Sequence, residues 1–304
     1  MIELVVRQVN VAMTTLGTGM QAHDHEPAVS VARSMPPVSI APGRFAGQSV
    51  VEELLRQYED RPPQSWLART LGVAPLDANG LGWLRAAQAE MIVGDILTRL
   101  PDGYTVYHSL PIRSTAFWVD HLVVGPGGVF SINAKTHWDR DLTGSPRSIP
   151  IGGHAMPYLR DARFESAQIT ALLAAVMPAA SVVEPMIVLV NPHKILLDRK
   201  PNAVTVIDSP RLRRWIVARP RTFTPEQQAA VTAIIDDPAT WRTAPQPITP
   251  AHLHARFTAL EQQVAAARTR RTTFTVLAAA AAATLLAALT SPLIVAAVEY
   301  FTVR

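Results

Sequence analysis

The spacing of apolar positions divides the chain into three stretches of different character. Residues 1–46 are rich in Pro, Ser, Gly and Ala and show little periodicity, so they are read as a mostly disordered segment. Beyond them, QSVVEELLRQYED (48–60) has the i, i+3, i+4 spacing of an amphipathic helix and stops at Pro62 and Pro63. With a second short helix over 65–71 it makes a helical lead-in, 47–79. WLRAAQAEMIVGDILTR (83–99) predicts a longer amphipathic helix, closed by Pro101, Asp102 and Gly103. Strand-like runs follow at 104–110, 117–124 and 129–135, then a helix at 158–177 and a continuous apolar run at 182–190 that reads as a buried strand. A strand over 203–207 and a helix over 209–218 complete the pattern. Strands interleaved with helices predict an α/β domain over 80–222. Helices over 225–236 and 250–271 make a linker, 223–271.

The third stretch is uniformly apolar. Thr272 to Val298 is 27 residues without a charge, followed by a short tail at 299–304. At about 1.5 Å per residue, roughly 20 residues cross a bilayer core, so this run predicts one transmembrane helix. A buried helix of a soluble domain is the alternative, but such a helix carries a polar stripe and this run has only scattered Thr and Ser. Arg268, Arg270 and Arg271 precede it, and only Glu299 and Arg304 follow, which predicts a single-pass protein of the cell membrane with its N-terminal part in the cytoplasm. The opening MIELVVRQVNVAM has charges inside its apolar stretch and no basic n-region, unlike a signal peptide. Composition adds one exclusion: with no cysteine there is no disulfide, thiol nucleophile or Cys-ligated metal.

The densest chemistry lies in WVDHLVVGPGGVFSINAK. Gly125-Pro126-Gly127-Gly128 is a turn signal between two β-branched runs. A hairpin centred between Pro126 and Gly127 pairs residues whose numbers sum to 253, setting Asp120 opposite Asn133. Lys135, two residues on, shares a face with Asn133. Asp and Lys directed into an α/β core are costly unless paired or used. Spacing alone leaves two readings, a structural ion pair or a reactive site.

This stretch resembles the nuclease-related domain, NERD, a branch of the PD-(D/E)xK restriction-endonuclease-like superfamily. The resemblance rests on the helix AAQAEMIVGDILTRLPDGY with Glu90, on Val119-Asp120-His121, on the Gly125–Gly128 turn, and on PYLRDARFESAQ (157–168) downstream, covering about residues 80–220. Where the family has Glu-x-Lys, this chain has Asn133-Ala134-Lys135. The resemblance implies a mixed sheet flanked by helices and a catalytic set of Glu90, Asp120, Asn133 and Lys135. It implies Mg²⁺ or Mn²⁺ held by Glu90, Asp120 and Asn133, with Lys135 stabilising charge on a scissile phosphate of DNA or RNA. Asn133 can offer only a neutral oxygen, so a pseudo-nuclease that binds nucleic acid or a partner without cleaving is the rival reading.

Several residues have more than one reading. Glu90 stands at the edge of its helix's apolar stripe, where a solvated Glu is the default. His121 alternates to the face opposite Asp120 and reads as a packed, hydrogen-bonded His. His137 and the His23–Glu26 string read as loop residues. Arg160 and Arg163 are candidates for nucleic-acid phosphate or plain solvation, and Arg211, Arg213 and Arg214, within the seven cations of residues 199–221, for nucleic-acid phosphate, anionic lipid or plain solvation.

Overall fold

A computed structural model describes residues 44–59, 61–112, 118–136, 141–144, 149–151, 154–156, 158–177, 182–191, 194–197, 203–241 and 249–302. Residues 1–43, the His23–Glu26 string, His137, Arg199 and Lys200 lie outside the described residues. The chain divides into two compact units, one of residues up to Tyr58 with Ala78–Ala255, the other of Glu59–Asp77 with Arg256–Arg304.

The elements in chain order are α1 (Gln48–Tyr58), α2 (Trp66–Thr70), α3 (Ala78–Leu97), β1 (Thr105–Pro111), β2 (Trp118–Gly125), β3 (Gly128–Thr136), β4 (Asp141–Gly144), β5 (Ile149–Ile151), β6 (His154–Met156), α4 (Tyr158–Leu173), β7 (Glu184–Val190), β8 (Lys194–Leu197), β9 (Thr205–Asp208), α5 (Ser209–Val217), α6 (Pro225–Asp236) and α7 (Pro250–Thr302). The first unit is α/β. Its main sheet has the order β1-β2-β3-β7-β9, antiparallel from β1 to β3 and parallel from β3 through β7 to β9. The pattern predicts an α/β domain, and the mixed sheet flanked by helices is what the family resemblance implies.

Helices cover both faces because the central strands are apolar on both sides. On one face Val93 and Leu97 of α3 and Leu212 and Ile216 of α5 pack on Val123, Phe130, Ile132 and Met186. On the other, Ile169 and Leu173 of α4 and Val231 and Ile235 of α6 pack on Leu122, Val124 and Val129. Fully burying one such aliphatic side chain contributes about 1.5–3 kcal/mol, so these two layers hold the sheet rigid. α3 begins five residues ahead of the predicted start. A second sheet, β6-β5-β4-β8, has strands of three or four residues, too short to show a period.

The second unit contains α2 and most of α7. α7 runs unbroken through Pro292, so the separately predicted 250–271 helix and the apolar run are one helix. It is long and apolar enough to cross a membrane, and none of its most apolar window is buried.

Candidate functional site

The β2–β3 hairpin has the predicted register, from Gly125 opposite Gly128 to His121 opposite Ile132, each pair summing to 253. The ladder stops there. Asp120 does not extend it; its carboxylate reaches across and accepts a hydrogen bond from the Ala134 N–H at 2.9 Å. On the other side, the β1–β2 ladder has His108 opposite His121 and Leu110 opposite Val119, and skips Ser109 between them. Ser109 has φ 51, the left-handed region that a β-carbon disfavours. It is held there by the Ser49 N–H, which donates to its hydroxyl at 3.3 Å. Asp120 thus occupies the point where both neighbouring ladders are interrupted.

Two buried carboxyls come to this point from opposite helical layers. On α3 the buried positions Leu84, Ala87, Glu90, Gly94 and Leu97 repeat every three or four residues, so Glu90 sits on the core stripe rather than beside it, 3% exposed. The Gly47 N–H donates to it, and its Oε2 has no hydrogen-bond partner. Gly47 has φ +81, and a β-carbon there would lie 3.0 Å from the Ala87 carbonyl oxygen, so glycine is what lets the backbone reach the acid. On α4 the stripe Tyr158, Ala162, Glu165, Ile169 and Leu173 likewise carries an acid in its middle, 5% exposed. Glu165 accepts a short hydrogen bond from the Ser131 hydroxyl and another from the Asn133 amide at 3.1 Å.

These environments favour the protonated form of the acids. Burial, and then the charge of Asp120, raise Glu90 well above the usual carboxylate range, with Lys135 and the Gly47 N–H opposing. Burial and the charge of Asp120 likewise push Glu165 up to about 8, against its hydrogen bonds from Ser131 and Asn133 and the charge of Lys135. Asp120 is itself raised by desolvation, moderated by Lys135 and the Ala134 N–H. The Lys135 ammonium lies 5.5 Å from the centre of the Tyr158 ring, within cation–π range.

Glu90, Asp120, Asn133 and Lys135 are therefore gathered around one point. Sequence reasoning missed Glu165, which stands against Asn133 where a Glu-x-Lys strand would carry its own carboxylate. Its signal was a Glu on a helix's buried stripe. Arg44 was missed too. Buried, it donates to Glu52 at 3.0 Å and lies 5.0 Å over Trp118, while its Nε and Nη1 have no partner. Burial lowers its pKa, and the charges of Glu52 and Glu90 oppose that shift. Among the described residues, no three Asp, Glu or His side chains already stand at ion-holding distances. Oxygen donors, raised carboxyl pKa values and the unpartnered Glu90 Oε2 nevertheless suit a hard divalent cation, whose charge would take the place of the protons.

The remaining candidates lie elsewhere. Arg160 pairs with the adjacent Asp161 at 3.2 Å, and Arg163 is exposed on α4. Arg211 pairs with Asp208 at 3.4 Å, Arg213 donates to the Arg99 carbonyl at 2.7 Å, and Arg214 is exposed. These last three are on α5, which packs on the sheet face opposite α4. His121 is fully buried, with Nδ1 2.8 Å from Nδ1 of His108, so one ring donates and the other accepts.

The profile of the family described as nuclease-related domain, NERD, matches residues 85–190. No curated protein and no solved structure matches the chain significantly. The matched stretch runs from within α3 to the end of β7 and includes Glu90, Asp120, Asn133, Lys135 and Glu165. Residues 85–190 of this chain are a nuclease-related domain and, through that family, belong to the PD-(D/E)xK restriction-endonuclease-like superfamily.

Proposed function

We propose that this chain is a membrane-anchored, divalent-metal-dependent phosphodiesterase acting on DNA or RNA, with Glu165 supplying the carboxylate that Asn133 lacks. The observation that carries this reading is the Asn133–Glu165 hydrogen bond at 3.1 Å, which sets a third buried acid beside Glu90 and Asp120. Domains of this superfamily usually depend on divalent metal. Glu90, Asp120 and Glu165 would hold Mg²⁺ or Mn²⁺, with Asn133 positioning Glu165 or adding a neutral oxygen. When bound, the ion neutralises phosphate charge and lowers the pKa of water.

The protein's own groups have distinct tasks. An entering ion would displace the protons that burial favours on these acids, so binding would tighten as pH rises. Lys135, its ammonium beside Tyr158, offsets charge that develops on the phosphoryl oxygens during attack. Arg44, with two buried N–H groups unpaired, is placed to receive the incoming anion. Arg160, Arg163, Arg211, Arg213 and Arg214 contribute longer-range, salt-sensitive attraction. Along the chain this reading runs from the helices of 47–79 through the nuclease-related domain at 80–222 and the helices of 223–271, of which α6 packs on the domain's sheet, to an anchor at 272–298. Arg268, Arg270 and Arg271 favour a cytoplasmic domain.

The test is incubation of the full chain, in detergent, with plasmid DNA and structured RNA, in Mg²⁺, in Mn²⁺ and in chelator. Wild type cleaves with metal only, whereas Asp120→Asn and Lys135→Ala do not cleave and remain folded. Wild-type rates in either variant sink the site. Salt-dependent binding with no cleavage in any metal favours the pseudo-nuclease reading, for which Asn133 is the argument.

A further inference from the structure

The second unit carries a surface that phosphodiester chemistry does not use. α2 is short but rigidly built. The Ser65 hydroxyl accepts from the Ala68 N–H at 3.2 Å at its start, and Gln64 Nε2 donates to the Val73 and Ala74 carbonyls at 3.2 and 3.0 Å, closing residues 64–74 on themselves. The helix ends at Gly72, φ +73, and is seated there against α7. A β-carbon on Gly72 would fall 2.4 Å from the Arg271 backbone nitrogen and 2.6 Å from the Ala267 oxygen, so only glycine permits the approach. Arg270 Nη1 donates to the Arg69 carbonyl at 3.1 Å beside it. α2 is thus fastened to α7 at the last turn before the charge-free run that begins at Thr272.

Its apolar side chains face outward nonetheless. Trp66 is 75% exposed, Val73 49%, Leu71 41% and Leu67 39%. Single exposed leucines are ordinary on a soluble surface, but four large apolar side chains within eight residues of a strapped loop form a patch. Arg69, Arg268, Arg270 and Arg271 are exposed at the same level. On α7 the exposed surface continues as Phe274, Val276 and Leu277. Apolar side chains led by Trp, a collar of Arg, and a long apolar helix starting at that height match the order of a bilayer's interface, headgroups and core.

We propose that α2 is an interfacial membrane element. Trp66, Leu67, Leu71 and Val73 enter the headgroup–acyl boundary of the leaflet at which the apolar run begins, with the four arginines against anionic headgroups. The proposal rests on the reading of α7 as a membrane anchor and adds a second point of attachment to it. Lipid is the occupant because α2 is docked on α7 at Ala267–Arg271, the turn before its exposed apolar side chains, and because the neighbouring exposed arginines carry charge of the sign that anionic headgroups attract. The run also has length to spare. At about 1.5 Å per residue its 27 residues reach about 40 Å, against a core of about 30 Å, which leaves length for its first turns to lie in the interface where α2 is docked.

Because the chain has no cysteine, a single introduced one takes a nitroxide label without background. The full chain is reconstituted in vesicles of three parts phosphatidylcholine to one part phosphatidylglycerol. It carries Trp66→Cys, Leu71→Cys, Thr284→Cys in the apolar run, or Glu226→Cys on the exposed start of α6. Power saturation against oxygen, which concentrates in lipid, and against a water-soluble nickel chelate then reads depth. The expected result is an oxygen-to-nickel accessibility ratio several-fold higher at 66 and 71 than at 226, and highest at 284. Ratios at 66 and 71 equal to that at 226, with 284 in lipid, overturn the interfacial element and leave the anchor standing. A label at 284 that is also accessible from water overturns the anchor and this inference together.

Discussion

Replacing Glu165 by Gln is the sharpest perturbation of the acid cluster. The side chain keeps its shape and an oxygen to accept from Ser131, and the Asn133 amide can turn to meet the new NH₂. What is removed is an ionisable proton. In the folded protein that proton leaves at about 8, in the unfolded chain at an ordinary 4.5. Between those values the native state holds a proton that the unfolded state has released, so stability falls as pH rises through the window and is flat above it. At about 1.4 kcal/mol per pH unit the loss is on the order of 4–5 kcal/mol, a large part of the roughly 5–15 kcal/mol that holds an ordinary domain folded. Glu90 and Asp120 add to the wild-type decline, so the difference between variant and wild type reads Glu165 together with its charge coupling to Glu90. Denaturant unfolding of the full chain in detergent, followed by tryptophan fluorescence at pH 5, 7 and 9 in chelator, measures it. Glu165→Gln gains on wild type by a few kcal/mol between pH 5 and 9. Saturating Mg²⁺ or Mn²⁺ at pH 9 restores wild type through linkage, and restores the variant far less. Parallel pH profiles for the two proteins would refute the buried, proton-holding Glu165 and with it the substitution of this acid for the missing one.

Asn133→Glu places a carboxylate against Glu165 instead of an amide donor. The variant is therefore less stable than wild type in chelator by about 1–3 kcal/mol, the cost of losing a buried hydrogen bond, and shows a larger stabilisation by Mg²⁺; thermal shifts with and without metal check both. The His108–His121 pair acts with the opposite sign from Glu165. Burial lowers His108 to about 4 and His121 well below its usual value, so the neutral pair contributes stability that is lost as pH falls below 6.5 toward 4. His108→Asn flattens that acid limb by up to about 3 kcal/mol, read as the variant-minus-wild-type difference between pH 7 and 4.5. A chain ended after Arg271 remains in solution without detergent, whereas the full chain sediments with vesicles; soluble full-length protein would sink the anchor.

The hairpin was legible because its information is local. A Gly-Pro-Gly-Gly turn between two β-branched runs sets a register by counting, and the structure has that register from Gly125–Gly128 to His121–Ile132. The main helices and the five strands of the large sheet were legible for the same reason, since a period of two or near 3.6 is written in neighbouring residues. The four strands of the second sheet were not, being shorter than any period they could display. The charge-free run of 27 residues announced a long apolar helix by composition alone, though not that it continues from Pro250 without a break.

The acid cluster divides at the same line. Asp120, Asn133 and Lys135 share one hairpin, so spacing alone brings them together. Glu90 and Glu165 come from helices on opposite faces of the sheet, and their burial depends on what each helix packs against. A Glu on a helix stripe reads as solvated until the partner surface exists. Only the fold brings Glu165, 32 residues from Asn133 in sequence, to 3.1 Å from it in space, and the exclusion of water there, with the charge of Asp120, raises its pKa. The sequence by itself determined the main helices and the strands of the large sheet, the hairpin register and the apolar helix, because these follow from residues a few positions apart. The tertiary structure decided which carboxyls meet, which keep their protons, and that α2 displays its Trp outward, because burial and charge coupling exist only once distant segments have packed.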